Sequence, residues 1–312
     1  MAVKPQQIFD DVEIGLGTWA WGDRLVWNYG QGYTDQDIEA VFKLAIENGV
    51  RFFDTAEIYG QGKSESFLGQ LMKTTATPPV TLATKFMPYP WRLGPGSLRK
   101  ALLASLKRLE LPKVQLYQIH WPMPPVPVRT LMERMLEVQQ EGLVEAIGVS
   151  NYDLAHTLEA HKVLSNAGSR LASNQMEYHL LERRIEKNGL MQQCNELGIK
   201  IIAYSPLAMG ILSGKYTPEN PPSGVRGNQY NRAYLTRIQP LIKILKKIGM
   251  NHDGKTAAQV ALNWVICKGA LPIPGAKNAN QLEQNIGATG WRLTDEEINL
   301  LDETSDSVSK KG

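Results

Sequence analysis

Short apolar runs recur along the chain, separated by stretches in which apolar residues return every three or four positions. The runs cover residues 50–53, 80–83, 114–119, 143–149, 171–176, 199–203 and 271–274, with a weaker one at 13–16. They are short, often β-branched and bounded by Gly, Pro or polar residues, a pattern that predicts buried strands. Helical spacing fills the intervals. Residues 35–47 place Ile38, Val41, Phe42, Ala45 and Ile46 on one face; residues 97–109 do the same with Leu98, Leu102, Ser105, Leu106 and Leu109. Similar stripes run over 128–140, 154–164, 185–197 and 257–266. Strands alternating with helices predict a parallel sheet with right-handed crossovers. Eight such units fit a closed (β/α)8 TIM barrel better than an open sheet.

Two segments depart from this rhythm. Residues 208–234 are rich in Gly, Pro and Asn and follow the seventh strand, which predicts a long loop acting as a lid. Residues 294–305 open on a capping box, Thr294 with Glu297, and predict an extra C-terminal helix. No linker divides residues 1–312, so one domain is expected; the 312 residues suffice for a barrel of roughly 250 with insertions.

Composition narrows the function classes. Apolar residues are 43% and charged residues 21%, which argues against disorder and coiled coils. A net charge of +3 is too small to suggest nucleic acid or an acidic membrane surface, yet it allows one local basic pocket. No window approaches the ~20 apolar residues of a membrane span, and residues 1–10 lack a signal core. A cytoplasmic protein is expected. Cys194 and Cys267 lie in helical apolar patterns and are read as buried free thiols in a reducing compartment, not as a disulfide. No Cys/His group has metal-ligand spacing, so no metal is expected. Lys310 and Lys311 read as a solvated tail.

Two strings imitate nucleotide motifs. Gly15-Leu-Gly17-Thr-Trp-Ala20 fits G-x-G-x-x-A, but no helix opens directly after it, as that fingerprint requires. Gly60-Gln-Gly62-Lys63-Ser64 imitates a P-loop, but its first glycine would fall at Glu57; a tight turn before a helix over 65–72 is the better reading.

Chemistry gathers at three strand ends. Asp54, Lys85 and His120 stand at or just past the C-terminal ends of consecutive apolar runs, and Tyr59 follows on the next loop. In a barrel this is the active-site face. Singly, each residue has an ordinary role: a cap, a snorkelling lysine, a core histidine, a packed tyrosine. Together they suit carbonyl reduction, which puts a hydride on carbon and a proton on oxygen. A neighbouring ammonium favours phenolate and should lower the Tyr59 pKa. Lys85 can supply that charge, Asp54 can hold Lys85, and His120 can orient the substrate oxygen. The roles of Tyr59 and His120 are interchangeable on this evidence.

The segment Asp54-Thr-Ala-Glu-Ile-Tyr59-Gly-Gln-Gly-Lys-Ser-Glu65 resembles the signature of the aldo-keto reductases. So do Ile147-Gly-Val-Ser-Asn151-Tyr, Asn174-Gln175, Ala203-Tyr204-Ser-Pro-Leu207 and Pro272-Ile-Pro-Gly275-Ala-Lys277. The resemblance spans roughly residues 14–302. It implies a tetrad of Asp54, Tyr59, Lys85 and His120, with Tyr59 as proton donor, and NADPH (NADP+) lying across the barrel mouth. It places Thr18 and Trp19 beside the cofactor. Ser150, Asn151 and Gln175 would hold the nicotinamide carboxamide, with Tyr204 stacked on the ring. Ser205, Pro206, Leu207, Gly210 and Lys215 would cradle the pyrophosphate. Gly275, Lys277, Gln281, Gln284 and Asn285 would hold the adenosine end, Lys277 meeting the 2′-phosphate. Gln281 and Gln284 depart from the basic and acidic residues of many relatives.

Aromatic residues suggest a pocket for a small, flat carbonyl compound. Trp19, Trp21, Trp91 and Trp121 are the expected walls, with Trp27 and Tyr29 as weaker guesses and Trp264 assigned to the core. The resemblance also implies a monomer. Two other readings compete: a cofactor-binding regulatory subunit resembling potassium-channel β-subunits, and a barrel enzyme using Lys85 as a Schiff base.

Overall fold

The computed structural model describes residues 7–75, 78–92 and 94–309. Lys310 and Lys311 lie outside them. Eight parallel strands follow one another in chain order: β1 (Leu16–Gly17), β2 (Phe52–Asp54), β3 (Thr81–Phe86), β4 (Val114–Ile119), β5 (Val144–Ser150), β6 (Leu171–Glu177), β7 (Lys200–Tyr204) and β8 (Leu271–Pro272). The seam between last and first is closed by backbone bonds from Gly15 N to Pro272 O (2.9 Å) and Gly17 N to Pro274 O (3.2 Å). A Cβ on Gly17 would lie 2.7 Å from Ile273 O, so the seam needs a glycine there. The fold is the (β/α)8 barrel that the alternation predicts.

Helices α1 (Asp35–Glu47), α2 (Lys63–Thr74), α3 (Ser97–Leu109), α4 (Val128–Gln140) and α5 (Leu154–Asn166) cover the sheet as their apolar stripes require. The stripe at 185–197 forms two helices, α6 (Arg184–Lys187) and α7 (Leu190–Glu196), because Gly189 between them takes φ 82°. The predicted lid is only partly loop. It holds α8 (Val225–Gln229), and its end belongs to α9 (Arg232–Asn251), whose start is capped by Asn231 accepting from Tyr234 N. Then follow α10 (Ala257–Cys267), α11 (Ala279–Ile286) and α12 (Asp295–Ser309). The capping box of α12 forms as predicted: Thr294 N donates to Glu297 Oε2 (3.0 Å) and Glu297 N to Thr294 Oγ1 (3.2 Å).

Inside the barrel, Phe52, Ala83, Leu116, Ala146, Ala172, Ile202 and Leu271 pack together, with Ile8 against them. Strands β2 to β8 each contribute one of these residues, so burial of this layer ties most of the ring together. Cys194 and Cys267 are both free; Cys194 is buried as expected, but Cys267, at the end of α10, is only half-buried. Among the described residues, no helix is long and apolar enough to cross a membrane.

Candidate active site

Side chains alternate along a strand, so residues two apart share a face. On the inward face apolar residues give way to polar ones toward the C-terminal end: Phe52 then Asp54, Ala83 then Lys85, Leu116 then Gln118 and His120. The polar ends open into a cleft of about 880 Å³. Backbone in the left-handed region clusters at its rim. Asn151 (φ 60°), Ser205 (φ 50°), Ala208 (φ 49°) and Met209 (φ 55°) lack the freedom of glycine, and each such residue costs about 1 kcal/mol or more. Gly210 (φ 93°) completes the run.

Asp54, Tyr59, Lys85 and His120 come together. Lys85, with no exposed surface, donates to Asp54 Oδ1 (2.5 Å), Thr55 O (2.9 Å) and the Tyr59 hydroxyl (3.2 Å). The ring of His120 meets that of Tyr59 edge-on, 5.8 Å between centroids. Tyr59 reaches this point because the Gly60–Gly62 segment is left-handed throughout, the tight turn expected before the next helix.

Burial works against the Lys85 charge, but Asp54 and Tyr59 outweigh it and hold the ammonium above its ordinary pKa. The phenol of Tyr59 departs from expectation. Lys85 pulls its pKa down, yet burial is the larger influence and leaves it above the ordinary value. Tyr59 is therefore a protonated phenol at neutral pH. Burial, followed by the Lys85 charge, drives His120 from 6.5 to about 3, so its imidazole is neutral. His120 Nδ1 is buried without a hydrogen-bond partner.

Every residue assigned above to the cofactor lines the cleft. Thr18 does so with its hydroxyl engaged by Asp54 O and Ser64 Oγ. Ser150 Oγ donates to Gln175 O (2.9 Å), and Tyr204 donates to Asn151 Oδ1 (2.9 Å), so these groups brace one another. At the outer end, Gln281 Oε1 accepts from Lys277 N, and Asn285 Nδ2 donates to Gly275 O. Lys277 Nζ donates to Trp27 O (3.0 Å) and sits over the Trp27 ring. Arg226, a residue that sequence reasoning missed, faces the same ring from α8. Its only sequence signal was its place as one of three cations, with Lys215 and Arg232, inside the predicted lid. Burial, then Arg226 and Lys215, lower the Lys277 pKa to about 8. Three cations crowding one end of a cleft are the donor set for a polyanion.

The aromatic wall needs correction. Trp19, Trp27 and Trp121 line the cleft, and Trp19 stacks on Tyr59 at 6.2 Å. Trp21 does not. It is fully buried, with Nε1 donating to Ala276 O (3.2 Å), because the turn after β1 points it into the core. Trp91 also lies away from the cleft, largely exposed and stacked on Tyr89. Tyr29 packs on Tyr33 and Phe67 and bonds to Asp35. Trp264 is core, as expected.

Residues 13–306 match the model of the aldo/keto reductase family. The chain is 40% identical over 296 residues to a chloroplastic pyridoxal reductase of Arabidopsis thaliana, covering 91% of this chain and 80% of that one. Among solved structures it is similar to an aldo/keto reductase from Klebsiella pneumoniae in complex with NADP and acetate (TM-score 0.72, 28% identity, 96% and 93% of the two chains). It is also similar to a glycerol dehydrogenase of Gluconobacter oxydans (TM-score 0.84, 26% identity, 96% and 93%). With the match running through nearly the whole barrel, the chain belongs to the aldo/keto reductase family.

Proposed function

We propose that the protein reduces aldehydes and ketones to alcohols with NADPH, and that Tyr59 supplies the proton. One observation carries this reading: the Tyr59 hydroxyl lies 3.2 Å from a fully buried ammonium, in a cleft whose far end carries Lys215, Arg226 and Lys277. When bound, the cofactor supplies the hydride to the carbonyl carbon. Everything else belongs to the chain. Tyr59, a protonated phenol at neutral pH, gives its proton to the carbonyl oxygen. Lys85 then faces the phenolate, and Asp54 holds Lys85 in place. His120 orients the carbonyl by a hydrogen bond. It is the poorer proton source, since its imidazolium forms only near pH 3. A Schiff base at Lys85 is disfavoured by the same geometry, because the ammonium is ion-paired and inaccessible.

The cations fit the phosphates of NADPH, Lys277 and Arg226 meeting the 2′-phosphate. Ser150, Asn151 and Gln175 would hold the carboxamide, and Tyr204 the ring. The plant relative's name and the walls of Trp19 and Trp121 point to a flat aromatic aldehyde, pyridoxal being the first to test. The experiment is NADPH oxidation with pyridoxal and a panel of aromatic and aliphatic aldehydes. Turnover of at least one aromatic aldehyde, faster than with NADH, supports the reading; NADPH binding without oxidation of any would sink it.

A further inference from the structure

Gln118 has no part in the chemistry above. It is fully buried on β4, two residues before His120 and on the same face. Its Nε2 donates to Asp54 Oδ2 (3.1 Å), and its Oε1 accepts from Gln175 Nε2 (3.3 Å). Gln175 Nε2 also donates to Asp54 Oδ2 (2.8 Å). The carboxylate of Asp54, ion-paired with Lys85, can only accept. Both amides must therefore turn their nitrogens toward it, which removes the usual ambiguity of amide orientation. Both N–H bonds of Gln175 are then engaged, and Oε1 is its remaining polar atom. That atom can only accept, which matches the N–H of a carboxamide.

The neighbouring strand makes room for this arrangement. Gly148 stands beside Gln118 in register, and a Cβ there would lie 2.9 Å from Gln118 Cγ and 2.5 Å from Ser173 Oγ. No side chain larger than glycine leaves space for the amide.

We propose that Gln118 is a positioning residue, locking the Gln175 amide and the Asp54 carboxylate into one hydrogen-bonded frame. The group that would recognise the nicotinamide and the group that holds Lys85 are thereby set together. The identity of the ligand rests on the reductase reading. The geometry of the frame does not.

The test compares two ligands that differ at one end. NADPH carries the nicotinamide; 2′,5′-ADP carries only the adenosine end. Both are titrated by tryptophan fluorescence into the wild type and into Gln118→Met, which keeps volume and removes both hydrogen bonds. NADPH should bind about fivefold more weakly, the loss of about one buried hydrogen bond, while 2′,5′-ADP stays within about twofold. Gln118→Glu gives an independent reading should the Met variant fold poorly. When protonated, its introduced carboxyl can still donate to Asp54. When ionised, it repels Asp54. NADPH affinity should thus be near wild type at acidic pH and fall about tenfold further than the wild type's as pH rises, an extra fall absent from the Met variant. Equal weakening of both ligands, or of neither, together with a pH response in the Glu variant no steeper than the wild type's, overturns the proposal. Failure of the reductase reading shows in the wild type instead. NADPH bound but not oxidised ends that reading and leaves the Gln118 comparison valid, while a wild type that binds neither ligand overturns both.

Discussion

Lys85 and Asp54 have 0% and 2% of their side-chain surface exposed and approach to 2.5 Å. Removing one partner leaves the other as a lone buried charge, which costs about 3–5 kcal/mol. Lys85→Met is therefore expected to destabilise the fold by about 4 kcal/mol at neutral pH. Asp54→Asn should start near the same value but recover as pH rises. Burial opposes the Lys85 charge, and Asp54 is the first of the influences that offset it. Without Asp54 the amine sheds its proton at a lower pH and becomes tolerable. The wild type has the opposite sign. A raised ammonium pKa contributes stability that is complete below the unfolded value of 10.5 and is lost as pH climbs through the folded value. The double variant Asp54→Asn/Lys85→Met buries neither charge. Its loss should be smaller than the sum of the singles by about 3 kcal/mol. Urea unfolding followed by circular dichroism measures all four proteins. Additivity within about 0.5 kcal/mol would refute the reasoning. All three variants should be nearly inactive, separating the pair's chemical role from its effect on folding.

Other expectations follow from the same geometry. Lys277, lowered to about 8, carries its charge below that value, so NADPH affinity should decline as pH rises through it while NADH affinity stays level. Lys277→Ala should weaken NADPH about tenfold, the scale of a charge-assisted bond, and flatten that decline; equal effects on both cofactors would contradict the assignment. His120, lowered to about 3, should give stability that rises with pH up to its ordinary 6.5 and is level above, because the unfolded chain binds the extra proton in that window. For the same reason His120 should cause no break in the reduction rate between about pH 5 and 7.5; an acid limb removed by His120→Asn would count against a neutral imidazole. Trp21→Ala should cost about 3–5 kcal/mol as a core truncation, whereas Trp121→Ala should raise KM for aromatic aldehydes with little loss of stability. The reverse pattern in melting and kinetics would return Trp21 to the pocket.

The barrel was legible because its strands are buried on both faces and its helices on one, so periodicity alone separated them. The strand ends were less legible, for a physical reason. Several apolar runs stop where an inward position turns polar, at Asp54, Ser150 and Tyr204, yet backbone pairing continues through those residues. The observed strands therefore often end one or more residues later than the runs. Helix α9 escaped although Leu235, Ile238, Leu241, Ile242, Leu245 and Ile248 form a clear stripe, because Pro240 lies within it and a loop-like segment precedes it. The tetrad was read from its strand ends. Gln118 was readable by the same alternation, two positions before His120, but an amide carries no chemical signature of its own. Neighbouring tryptophans could not be sorted: Trp19 faces the cleft and Trp21 the core, a difference set by the turn after β1 and not by composition.

The central claim is that Tyr59 gives the proton. Single-turnover NADPH oxidation with an accepted aldehyde, run on wild type and Tyr59→Phe at saturating cofactor, tests it most directly. The account predicts that Tyr59→Phe binds NADPH within about threefold of wild type and loses about 10²–10⁴ in the rate of the chemical step. A Tyr59→Phe rate within about tenfold of wild type, with cofactor bound, would contradict it and move the proton elsewhere in the cleft.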